Sequence, residues 1–160
     1  MLVSNSNLEV PGLFHEKKYI WSMSKNTDIR AGRHCVFEIH AHLVFVTKHR
    51  GRVFSDAHLK TLERVLCKVC HDFEADLVEF NGEADHVHLL VTYPPKIALS
   101  RLVNSLKGAS SRGMKQMYPE LAAPAYQHNA LWSPSYFAGS VGGAPLSVVK
   151  AYIEQQTRPL

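Results

Sequence analysis

The run DHVHLLV, Asp85 to Val91, sets two histidines one residue apart inside a stretch otherwise suited to a buried strand. Strand side chains alternate between faces, so His86 and His88 share one face, roughly 7 Å apart at the backbone. Val87, Leu89, Val91 and Tyr93 take the other. Two imidazoles at that separation can converge on one cation, but a working metal site needs more groups and keeps open positions for substrate. His40-Ala41-His42 has the same spacing, so spacing does not rank the two pairs, and solvated or hydrogen-bonded strand histidines are the plainer reading of either. Near the end of the chain, Tyr152 and Gln156 lie four apart beside an apolar stripe of Leu146, Val149 and Ile153. Residues four apart stack on one flank of a helix. If the stripe docks near the histidine face, a phenol and an amide oxygen arrive together, one a possible nucleophile and the other a further ligand. Taken alone, Tyr152 equally fits a half-buried packing role.

These residues need elements to carry them. CVFEIHAHLVFVTKHR, Cys35 to Arg50, reads as one long strand. Ser55 and Asp56 offer helix-start chemistry, and Leu59, Leu62, Val65, Leu66, Val69 and Phe73 follow at helical spacing. ADLVEFNG reads as a strand ending in an Asn-Gly turn, and Glu83 to Tyr93 as its antiparallel partner, closed by Pro94-Pro95. Leu99, Leu102, Val103 and Leu106 mark a second helix to about Met117, SYFAGS a fourth strand, and LSVVKAYIEQQ a last helix with Pro145 in its first turn. Strand-helix-strand-strand-helix-strand is the split-βαβ, ferredoxin-like order. The expected class is α+β: an antiparallel, RRM-like sheet with two helices on one face, plus a C-terminal helix bearing Tyr152. The histidines then face the open side, and such faces commonly bind single-stranded nucleic acid.

The bounds agree. A chain of 160 residues, 46% apolar and 20% charged, suits one globular domain. The net charge of +4 hints at a polyanionic partner. No apolar run is long enough to span a bilayer, and the first residues lack a secretory plan. Residues 1–30 read as a loosely ordered extension, with Met23 as an alternative start, and 31–160 as the domain. Three cysteines cannot all pair within one chain, so a cytoplasmic location with reduced thiols is expected. Cys67 and Cys70, three apart within a helical pattern, read as packing residues rather than a redox or zinc half-site.

Taken together, the sequence resembles the HUH single-tyrosine transposases, which move bacterial insertion sequences as single-stranded DNA; U is a bulky apolar residue, here Val87. The resemblance extends over HLVFVTKHR, VEFNGEADHVHLLVTYPP, LVNSLKGASSR, LWSPSYFAGS and GGAPLSVVKAYIEQQ, about residues 33 to 157. HUH alone is a loose motif; these segments in this order are far more specific. The resemblance implies a metal held by His86 and His88 with Gln156 as third protein ligand, Mg²⁺ or Mn²⁺ fitting such an open site. It implies Tyr152 as the catalytic nucleophile and leaves His40 and His42 structural. It implies a homodimer whose sheets join, with Gly142-Gly143 as a hinge for the tyrosine helix, and a single-stranded substrate whose ends fold as imperfect-palindrome hairpins. Val141 and the N-terminal extension depart from the pattern.

The implied chemistry is that of a metal-dependent single-strand endonuclease and strand transferase. Attack by Tyr152 releases a 3′-OH and leaves a 5′-phosphotyrosine, whose preserved ester energy lets another 3′-OH reseal the strand. Lys48, Arg50 and Arg52 after the first strand, and Lys107, Ser110 and Arg112 in LKGASSR, are candidate DNA contacts. Trp132, Tyr136 and Phe137 could stack on bases, though core packing suits most of them. Two other readings stay open: a domesticated relative cutting chromosomal repeat hairpins, and a non-catalytic single-strand-binding module.

Overall fold

A computed structural model of the chain describes residues 30–122, 130–141 and 146–159. The extension to residue 29, Met23, the Gly142-Gly143 hinge and Pro145 lie outside the described residues. Two short strands, β1 (Arg30–Ala31) and β2 (Val36–Phe37), form a separate ribbon. Then come β3 (His40–Val46), α1 (Asp56–Asp72), β4 (Asp76–Gly82), β5 (His86–Thr92), α2 (Leu99–Met117), β6 (Phe137–Ser140) and α3 (Leu146–Glu154). The main sheet is antiparallel with order β4-β5-β3-β6. That is the ferredoxin-like arrangement expected from the sequence.

The sheet's two faces have different covers. Leu43, Phe45, Leu77, Phe80, Val87, Leu89 and Val91 join Leu59, Leu62 and Leu66 of α1 and Leu102, Val103 and Leu106 of α2 in one core. Helix α1 starts where expected: the Ser55 hydroxyl accepts from the His58 N–H at 3.4 Å while His58 Nδ1 accepts from the Ser55 N–H at 3.1 Å, a reciprocal cap. Cys70 is fully buried in the core and Cys67 packs against it. Burial pushes both thiols up, as for packing residues rather than reactive ones.

Three elements differ from the sequence expectation. The long first strand is cut, because β2 pairs with β1 instead of extending β3. The main-sheet ladder of β3 stops opposite Thr92; beyond it stand Pro94 and Pro95, and proline has no N–H to donate. At its other end the strand turns into a 3₁₀ segment, Lys48–Arg50, with His49 and Arg50 at φ 58° and 54°. The hairpin turn is not at Asn81-Gly82: both lie inside β4, opposite His88 and Val87. The turn is Glu83 to Asp85, closed by the Glu83 N–H on the His86 carbonyl at 2.9 Å. Last, α3 ends at Glu154, two residues short of Gln156.

Gly82 is required by this closeness. A Cβ there would stand 2.6 Å from the His86 carbonyl oxygen and 2.7 Å from Val87 Cγ1. Gly82→Ala is expected to lower the unfolding free energy by about 2 kcal/mol, a typical cost of overpacking, read by urea denaturation; an unchanged midpoint and slope would show that the hairpin relaxes without strain.

Candidate active site

The pleat of β5 delivers His86 and His88 to the face opposite the core. His88 is buried and its Nδ1 lies 3.0 Å from Nε2 of His42, the two rings stacked with centroids 5.3 Å apart. His42 is directly opposite Leu90 and Val44 opposite His88, so antiparallel pairing brings the two imidazoles together on one face as diagonal neighbours. Both rings cannot present a lone pair along this contact, so one donates and the other accepts. Burial, then the His86 and His42 charges, push His88 down to about 4; burial also lowers His42. Near neutral pH His88 is therefore uncharged, the form a cation can use.

His86 is held differently. Its Nδ1 is 2.6 Å from Oδ1 of Asp85, and its ring centroid is 5.1 Å from that of His88. The hydrogen bond to His86 is the chief cause that lowers the Asp85 carboxyl, helped by the nearby charges of His86 and Arg50. In both histidines Nδ1 is taken, and among the described residues Nε2 makes no hydrogen bond. A carboxylate on the far nitrogen fixes a ligating imidazole's tautomer and raises its basicity. Glu83, Asp85 and His86 also bring one potential ligand atom each within 4.8 Å of one another. This donor set suits a hard divalent cation. Sequence reasoning passed over three contributors here. Asp85 and Glu83 were visible as carboxylates just before the histidine pair. His42 was visible but undervalued, because its role emerges only from the register of β3 against β5.

Helix α3 lies against β4 and β5 on this face, with Ile153 fully buried. It brings the Tyr152 ring to 5.5 Å from His88 and 6.2 Å from His42, centroid to centroid, within one chain. Tyr152 remains 51% exposed. Gln156 follows in the turn after α3, and its side-chain amide points back, Nε2 to the Tyr152 carbonyl at 3.4 Å. Among the described residues no hydrogen bond joins it to an imidazole. Where α3 ends, the Ile153 carbonyl accepts the Gln156 N–H at 3.2 Å, and Asn81 Nδ2 from the sheet lies 3.0 Å from the same carbonyl and 2.9 Å from that of Gln156.

The basic candidates divide. Lys48 and Arg50 sit in the turn after β3, at the same end of the sheet as His86; the Thr47 N–H donates to the Asp85 carbonyl at 2.9 Å. Arg52 and Arg112 are exposed, the latter on α2, which covers the core face. Lys107 and Ser110 are occupied elsewhere. Lys107 Nζ donates to the carbonyls of Ser133, Pro134 and Ser135 at 2.7, 3.0 and 3.2 Å. Ser110 is fully buried and accepts the Trp132 indole N–H at 2.9 Å. Trp132 packs in the core, while Phe137 is 56% exposed and lies edge-on to His42 at 5.8 Å.

Known proteins resemble this chain over most of the domain. Residues 35–156 match the family described as "Transposase IS200 like". The chain is 31% identical over 129 residues to the ISDra2 transposase TnpA of Deinococcus radiodurans, covering 81% of this chain and 91% of the relative. It is 29% identical over 115 residues to the transposase for insertion sequence element IS200 of Salmonella typhimurium, covering 72% and 74%. The crystal structure of a candidate transposase from D. radiodurans R1 superposes with TM-score 0.67 at 32% identity, covering 81% of this chain and 98% of that one. A REP-associated tyrosine transposase solved with a REP hairpin shares the fold at TM-score 0.52 and 12% identity, covering 78% and 68%. A family match over most of the domain, with a relative above 30% identity along nearly its whole length, makes this chain a member of the IS200-like transposase family.

Proposed function

We propose that this chain cleaves and rejoins single-stranded DNA at insertion-sequence ends, with Tyr152 as the nucleophile and His86, His88 and Gln156 as ligands of a Mg²⁺ or Mn²⁺ ion. The observation that carries the reading is the half-exposed Tyr152 ring 5.5 Å from the neutral, buried His88. A bound divalent cation would offset the charge that develops on the scissile phosphate. The chain's own residues supply the rest. Tyr152 Oη forms a bond to phosphorus, the 3′-oxygen leaves and takes up a proton, and the phenol's proton passes to solvent. The His42–His88 contact orients His88, and Asp85 does the same for His86. Gln156, one turn beyond Tyr152, would release its bond to the Tyr152 carbonyl to serve as third ligand.

DNA binding follows from charge and access. Lys48 and Arg50 lie at the His86 end of the sheet with Arg52 exposed two residues on, whereas Arg112 lies on α2 over the opposite face. Lys107, expected among the contacts, bonds the carbonyls of Ser133, Pro134 and Ser135, and Ser110, expected there too, bonds the Trp132 indole. Hairpin-bearing ends as substrate accord with the solved relative that binds a REP hairpin. The active form is proposed to be a homodimer, as the family resemblance implies.

With Mg²⁺ and a labelled single-stranded element end, the protein should form an adduct that survives denaturation. Tyr152→Phe abolishes the adduct and keeps hairpin affinity; lost affinity would instead assign the phenol to folding. His86→Ala binds the hairpin but loses about 100-fold or more in cleavage at every Mg²⁺ concentration, in the range seen when a metal's supporting groups are removed; wild-type cleavage would exclude it as a ligand.

The pH dependence follows from His88. Its folded value, about 4, lies below the ordinary histidine value of 6.5. Over that window the unfolded chain takes up a proton that the folded chain refuses, so stability is lost as pH falls. Without divalent cation, urea unfolding should show stability falling as pH drops from about 6.5 toward about 4, with His88→Gln losing this ring's share of that slope. Equal slopes in the two proteins would contradict the burial argument.

A further inference from the structure

We propose that Asn81 and Arg158 form a latch that positions Tyr152 over the histidines, an inference that rests on the reading of Tyr152 as nucleophile. Helix α3 spans only Leu146–Glu154, too short to be stable alone. Its end is held within the backbone by the Gln156 N–H on the Ile153 carbonyl at 3.2 Å, and the carbonyls past that bond need a partner from outside the helix. Asn81 supplies it: the side-chain NH₂ lies 3.0 Å from the Ile153 carbonyl, 3.3 Å from that of Glu154 and 2.9 Å from that of Gln156. Two hydrogens are shared among three acceptors, so the amide holds the end of the helix as a unit. These carbonyls lie just beyond Tyr152 and include that of Gln156.

The amide's place in the sheet ties this grip to the site. Asn81 is buried and stands directly opposite His88 in the β4–β5 ladder. It reaches that position because a bulge between Leu77 and Glu79 shifts the register. Leu77 and Phe80 then both enter the core, while Asn81 joins the histidine face. The residue that fixes α3 and the residue the phenol must approach are therefore neighbours on adjacent strands.

Arg158 completes the device from the other side. Its Nε donates to Asn81 Oδ1 at 2.8 Å. With a guanidinium on the oxygen and carbonyls on the nitrogen, the amide has one workable orientation. The same guanidinium approaches Asp56 at 3.5 Å and Glu63 at 3.6 Å, both on α1. The tail after α3 thus connects the opposite layer of the domain to the sheet and back to the tyrosine helix. The guanidinium's charge strengthens its bond to Asn81 Oδ1. Asn81 and Arg158 touch no reacting atom in this scheme; they are positioning residues.

The latch is separable from the core. The main core lies on the other face and contains no α3 residue among those described. The test uses the full chain carrying Arg158→Ala, Arg158→Lys or Asn81→Ala, and reads amide hydrogen exchange, hairpin affinity and the rate of adduct formation at saturating DNA. Arg158→Ala should speed exchange in residues 149–154 by about 5-fold or more and leave β3 and β5 unchanged, as for local opening. It should slow adduct formation about 10-fold with hairpin affinity within about 2-fold, the signature of misplaced reacting groups. Asn81→Ala should do more, and Arg158→Lys should recover part of the loss. Unchanged exchange in α3 in both alanine variants overturns the latch, as does faster exchange throughout β5, which would make these residues part of the core. Looser α3 with an unchanged adduct rate overturns the positioning role. Absence of any wild-type adduct would defeat the functional reading instead, while the exchange data would still decide the latch.

Discussion

Strict alternation along β5 is the constraint on which the rest depends. Val87, Leu89 and Val91 belong to the core beneath α1 and α2, and this fixes His86, His88 and Leu90 on the other face. A one-residue slip would exchange the two sets, burying imidazoles among leucines and exposing valines. The hydrophobic gain on one face therefore enforces the chemistry on the other. Gly82 and the Glu83–Asp85 turn hold that register at the end nearest His86, where a side chain on residue 82 would collide with the returning strand.

The second face needs two incompatible things, dryness and access. Leu90 on β5 and Ile153 on α3 are both fully buried, so the helix shields part of the sheet. Beside that shelter His88 is buried while Tyr152 keeps half its surface open. Burial makes charging His88 unfavourable, and the resulting neutral ring is the form that donates a lone pair to a metal. The phenol is open to solvent without any opening of the domain. A nine-residue helix covering one edge of the site meets both demands.

Much of this was legible in the sequence, and the exceptions share one cause. Element order followed from periodicity, and the faces of β5 from parity, because both are local. The helical placement of Cys67 and Cys70 gave their packing role correctly. What was not legible depends on pairing between distant segments. His42 has the same spacing to His40 as His86 to His88, and only the β3–β5 register brings it to 3.0 Å from His88. Asn-Gly suggested a turn, yet both residues lie in β4, because Asn81 serves as an acceptor and donor bridge to the tail and α3 rather than as a bend. Strict parity across β4 sets Leu77 and Phe80 on opposite faces; the bulge that reconciles them has no composition signal. Helix α3 stops where Asn81, from a distant strand, meets its last carbonyls.

Lys107 and Ser110 have structural partners that their place in the sequence does not announce. Both lie in a segment shared with a DNA-processing family, and a lysine there invites assignment to a phosphate. Its ammonium is instead surrounded by three carbonyls of residues 133–135, and burial lowers it as expected for a partly desolvated cation. Ser110, beneath it, accepts the indole N–H of Trp132, whose ring packs against Phe45 and Phe54. This polar pair therefore anchors the loop that leads into β6, and β6 presents Phe137 beside His42. Removing the charge at Lys107 would release three backbone carbonyls and loosen that approach to the site. A weakened DNA interaction in such a variant would then report the loop's disorder rather than a lost phosphate contact, and its salt dependence would stay that of the wild type, since counterion release changes only when a phosphate contact is lost.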